Sequence, residues 1–192
     1  MKIQMHKTAN LALISLLCNM VYSAYHIIFG IATSSWWLFT TGVYYTILSI
    51  VRFLVLKRTG KKRFMIRFAG IMLMMLSLPL VGTVILAFVK DRGTVFHLIV
   101  MLAIATYSFT KLTLATVNWI QARKITSARL ITLRNISFAD AFVSLYALQR
   151  SMLVSFEGMS EAEIRIMNVA TGCAVCIIVF LLGLDLLHRK TP

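Results

Sequence analysis

The chain has 192 residues, 59% of them hydrophobic and only 14% charged. A soluble domain carries about 25% charged residues, and a mean hydropathy of +0.85 excludes one here. The net charge of +14 would suit nucleic acid, but it lies in the gaps between long apolar runs, which excludes that partner.

Six runs follow one another, at 9–30, 36–56, 68–89, 95–120, 136–156 and 164–187. A helix of about 20 apolar residues crosses about 30 Å of hydrocarbon. The sequence therefore predicts an all-α fold, a polytopic transmembrane helical bundle of six spans forming a single domain over 1–192. The first run is too long for the apolar core of a signal peptide. It ends in Phe29-Gly30-Ile31, without a small-residue cleavage site. It is expected as a retained first helix.

The connections are short. Ile31–Ser35 carries no charge, 57–67 is basic with Gly60 as a turn residue, and Lys90–Gly93 makes a tight turn. The stretch 121–135 is the longest, and its second half is expected to continue into the fifth helix. If the helices alternate, Lys2, Lys7, Lys57, Arg58, Lys61, Lys62, Arg63, Arg67, Arg123, Lys124, Arg129, Arg134, Arg189 and Lys190 share one side. The other side holds Lys90, Arg92, Arg150 and Arg165, beside Asp91, Glu157, Glu161 and Glu163. This is the positive-inside asymmetry. It predicts a multi-pass protein of the cell membrane with both termini cytoplasmic. Basic loops there attract anionic headgroups at about 1 kcal/mol per side chain near the surface.

The basic dipeptides Lys57-Arg58, Arg123-Lys124 and Arg189-Lys190 recur at a spacing of 66 residues, which suggests three repeated helical hairpins. Hairpins crossing one bilayer have similar lengths in any case. The three cysteines, Cys18, Cys173 and Cys176, fall inside spans and read as small buried hydrophobes.

Ionisable residues inside spans mark candidate sites. Arg52, Asp140, Arg150 and Asp185 lie close enough to span ends to reach polar surroundings, Arg52 by snorkelling. Lys111 lies about 15 Å above Gln121, near the bilayer middle, and has to face the bundle interior. Ser108, Lys111, Ala115 and Asn118 share its helical face. The fifth helix has a matching stripe of Ser137, Asp140, Ser144, Ala147 and Ser151. The expectation is a Lys111–Asp140 pair between the fourth and fifth helices, with Ser108, Asn118 and Ser144 completing an intramembrane polar site. Tyr22, Tyr25, His26, Trp36, Trp37, Tyr44 and Tyr45 are expected as an interfacial aromatic belt, with an external ligand pocket as the alternative, and Pro79 as a kink in the third helix.

No H-E-x-x-H, G-x-S-x-G or Walker sequence is present, and the four histidines are scattered. No catalytic residue, metal site or cofactor is expected, and no helix repeats arginines as a voltage sensor does.

The stretches YSAYHIIFGIATSSWWLFTTGVYYTILSIVR (22–52), YSFTKLTLATVNWIQARK (107–124) and SFADAFVSLYALQRSML (137–153) resemble an uncharacterised family of small six-helix integral membrane proteins of Gram-positive bacteria. The resemblance covers most of the chain and implies no catalytic residues. Size and helix number are also similar to the substrate-binding subunits of energy-coupling-factor vitamin importers. Their Ala-x-x-x-Ala pattern is missing from the first helix here.

Two readings follow. One is a small transporter, channel or substrate-binding membrane subunit, which requires a wetted cavity at Lys111. The other is a non-catalytic membrane adaptor or assembly partner, engaging another membrane protein or a second copy. It requires a sealed pair and a small-residue seam facing lipid.

Overall fold

A computed structural model describes residues 2–57, 62–89, 97–122, 127–155 and 158–188, without the side chains of 2–12, 62, 118, 121 and 122. They form six helices: α1 (Lys2–Ala32), α2 (Trp36–Lys57), α3 (Lys62–Val89), α4 (Leu98–Ala122), α5 (Ala128–Ser155) and α6 (Glu161–His188).

The elements begin and end for local reasons. After α1 the chain turns within three residues. Ser34 takes a left-handed φ of 52°, and the Ser35 amide donates to the Gly30 carbonyl at 2.9 Å. At the start of α6, Ser160 and Glu163 form a capping box. The Ser160 amide donates to Glu163 Oε2 at 2.8 Å, and the Glu163 amide donates to Ser160 Oγ at 3.4 Å. The last turn of α2 is held from outside, where Arg129 Nε donates to the Val55 carbonyl at 3.2 Å. Carbonyls at a helix end have no partner within their own helix.

Five of the six helices are long and apolar enough to cross a membrane, and α5 is the exception. The expectation of six spans is thus met in part. The reason lies in the charges of α5, which the bundle encloses: Arg134, Asp140 and Arg150 are all buried. The fifth helix packs against α2, α3, α4 and α6 and occupies the centre of the bundle. As expected, the stretch before 136 continues into this helix, which starts at Ala128 and puts Asp140 about 18 Å along it.

The closest helix pairs are α3 with α6, α1 with α2, and α4 with α5. Close approach demands glycine where backbones meet. A methyl group on Gly183 would lie 2.9 Å from the Gly70 carbonyl oxygen, and one on Gly42 would lie 2.9 Å from the Ile27 amide nitrogen. The main core runs through Leu48, Val51, Leu73, Leu76, Ile136, Ala139, Val179 and Leu186. The third helix is continuous through Pro79.

Candidate functional site

Four helices bring polar side chains to one buried point. The first contributes Ser15, Asn19 and Tyr22, at the spacing that puts residues on one helical face. The second contributes Tyr45 and Arg52, the fourth Tyr107, Ser108 and Lys111, and the fifth Ser137, Asp140 and Ser144.

Asp140 is the hub. Its Oδ1 accepts from Lys111 Nζ at 2.7 Å. Its Oδ2 accepts from Asn19 Nδ2 at 2.7 Å and from Arg52 Nη2 at 3.3 Å. The side chains of Arg52 and Asp140 are 1% and 2% exposed, and that of Lys111 is 10% exposed. Arg52 further donates to Ser137 Oγ at 3.3 Å and to Ser15 Oγ. Two cations therefore share one carboxylate, and the cluster carries an excess positive charge if all three are ionised.

The Lys111 ammonium also sits in an aromatic cage. Its Nζ lies 4.5 Å from the centroid of Tyr107, 4.9 Å from Tyr45 and 5.9 Å from Tyr22. Ring faces attract a cation within about 6 Å, more strongly where water is excluded. Ser144 orders the rest. Its Oγ donates to the Asp140 carbonyl at 2.9 Å and accepts from Lys111 at 3.2 Å, so the Tyr45 hydroxyl, 2.9 Å away, is the donor to it. Ser108 Oγ donates to the Ser144 carbonyl at 3.3 Å. Tyr107 donates to Asn19 Oδ1 at 3.0 Å and stands 5.4 Å from Tyr22, ring to ring. The first and fourth helices thus meet here through long side chains rather than by close backbone packing.

The structure brings Lys111, Asp140, Ser108 and Ser144 together, whereas the side chain of Asn118 lies outside the described residues. It corrects the placement of Arg52, which does not snorkel but turns inward onto Asp140. Arg150 is also buried. Its guanidinium stacks 4.8 Å from the Trp37 ring centroid and donates to the Thr83 carbonyl at 3.4 Å. Asp185 accepts from Asn135 Nδ2 at 3.1 Å across α5 and α6. The aromatic belt is corrected in part. Tyr44, Tyr45, His26 and Trp37 are buried, with His26 4.3 Å from Tyr22, and only Trp36 and Tyr25 of the group are exposed. Cys176 is buried, while Cys18 and Cys173 are exposed on the helix surface.

Ser15, Asn19, Tyr22, Tyr45, Arg52 and Tyr107 are members of the site that the spacing argument missed. For those on the first helix a signal existed, because Ser15, Asn19, Tyr22 and His26 form a polar stripe at three- and four-residue intervals. Comparison with protein-family models, curated proteins and solved structures finds no match for this chain.

Proposed function

We propose that this chain is a non-enzymatic membrane adaptor or assembly partner, whose charged cluster fixes the mutual placement of α1, α2, α4 and α5. The closure of the cluster carries this reading. Both carboxylate oxygens of Asp140 are occupied by donors from within the bundle, and its side chain is 2% exposed. A ligand would have to displace a protein partner before it could bind.

The outer surface of α4 supports the same reading. Ala103, Thr106, Thr110 and Thr113 lie along one exposed stripe. The three hydroxyls donate back to the carbonyls of Leu102, Thr106 and Phe109, at 2.9, 2.7 and 2.9 Å. The stripe itself offers short side chains, between the exposed Leu102, Phe109 and Leu114. Small residues of this kind let membrane helices approach closely. In this proposal both termini are cytoplasmic, and anionic headgroups gather on the basic loops.

The test is cross-linking in native membranes, with Thr110→Cys in a full-length chain whose own cysteines are replaced by alanine. The reading expects a discrete cross-linked species, hetero- or homo-oligomeric, that Thr106→Leu abolishes. A chain that remains monomeric at Thr110 would end it.

A second reading, a transport or substrate-binding subunit, is favoured by the two cations on one carboxylate. If α1 and α4 part, the cluster would open, and an anionic group could compete with Asp140 for Lys111. It requires substrate-dependent currents or uptake in proteoliposomes that Lys111→Met removes.

A further inference from the structure

The first two helices diverge on the side facing away from the charged cluster and leave an apolar groove of about 770 Å³. On α1 its wall is the stripe of Leu13, Leu17 and Met20, and on α2 it is Ile50 and Phe53. All five are about half exposed. Both stripes follow three- and four-residue spacing, so each helix turns a single face to the groove. The groove closes at its deep end, where Ser23 Oγ donates to the Gly42 carbonyl at 2.8 Å and lies 2.6 Å from Thr46 Oγ1. Its other end is marked by Lys57, whose ammonium lies 5.7 Å from the centroid of the Phe53 ring.

Depth and charge together identify the occupant. From Thr46 to Lys57 is about 16 Å of helix, and one leaflet is about half of the roughly 30 Å hydrocarbon core. The groove therefore runs from the bilayer middle to headgroup level and stops at a cation. Arg58, Lys61, Lys62 and Arg63 follow in the chain. We propose that this groove is a specific site for one anionic phospholipid, with an acyl chain lying between α1 and α2 and its phosphate paired with Lys57. Annular lipid contacts a single outer surface, whereas this lipid is held between two walls with a counter-charge at the mouth.

Native mass spectrometry of the full chain, purified in detergent and offered phosphatidylglycerol or phosphatidylcholine in equal amounts, tests this. One phosphatidylglycerol should be retained per chain, in preference to phosphatidylcholine. Ile50→Trp, which fills the groove, should release both lipids, and Met20→Trp should do the same from the opposite wall. Lys57→Gln should lower the preference for phosphatidylglycerol about fivefold, the factor expected from one surface cation, while an acyl chain still binds. Circular dichroism of each variant establishes that it is folded. Equal retention of both lipids by the wild type would overturn the proposal. So would full phosphatidylglycerol retention in both folded tryptophan variants, or a second copy of the chain found in the groove.

Discussion

At the residue scale, the unequal count of charges around Asp140 sets the order in which substitutions do damage. Asp140→Asn leaves Arg52 and Lys111 buried without a counter-charge. Breaking a buried pair in this way costs about 3–5 kcal/mol. Lys111→Met leaves Asp140 with Arg52 and Asn19, an internally neutral set. Thermal unfolding in detergent should therefore show Asp140→Asn as much the worse of the two. The double variant should fall between them, because Arg52 alone is then uncompensated. Damage in the double variant equal to the sum of the two single ones would mean that the ammonium and the carboxylate do not depend on each other. The Lys111–Asp140 pair was legible in the sequence because lysine at mid-span has few places to go, and the serine stripe on the fifth helix showed where. Arg52 was not legible. A long cation near a span end can turn outward or inward, and the choice depends on Ser15 and Ser137, which lie on other helices.

At the element scale, the contact between α3 and α6 rests on backbone proximity that only glycine permits. Gly183→Ala places a methyl group 2.9 Å from the Gly70 carbonyl oxygen and 2.8 Å from Met74 Cγ. The helices have to separate, at a cost of about 1–3 kcal/mol, as for other overpacked interiors. Gly82 lies on the same α3 helix, with nothing within 4 Å of a methyl group placed there. Gly82→Ala should raise stability by up to about 1 kcal/mol through helix propensity alone. Melting temperatures of the two variants should move in opposite directions, and a common direction would contradict the close approach. The six helices themselves were readable from run length. Their neighbours were not, because spans that are apolar all round carry no record of which face meets which partner. The 66-residue period suggested hairpins of α1 with α2, α3 with α4 and α5 with α6; α1 does pack along α2, whereas α3 packs along α6 and α4 along α5.

At the scale of the whole molecule, charge lies in two places with different roles. Most cations fall in the stretches between the apolar runs, which the proposed topology puts mostly on one side, whereas those of Arg52, Lys111 and Arg150 lie inside the bundle. The loop charges govern orientation. Single cysteines introduced at position 2 and position 191 of a cysteine-free chain should both resist an impermeant maleimide in intact cells and react once the cells are opened. Labelling of either from outside would reverse or break the proposed topology. The interior charges leave orientation alone and determine how the bundle coheres.

The central position of α5 bears on how the protein is made. Each arginine or aspartate at the centre of an inserting helix opposes entry into lipid by about 2.5–3.5 kcal/mol, and α5 encloses Arg134, Asp140 and Arg150. Lipid alone is a poor solvent for it, whereas the carbonyls, aromatic rings and counter-charges of α2, α3, α4 and α6 are a good one. For this helix, entry into the membrane and folding are a single event. In the proposed topology this helix gains a favourable surrounding only with its neighbours, and the last of these, α6, follows it in the chain.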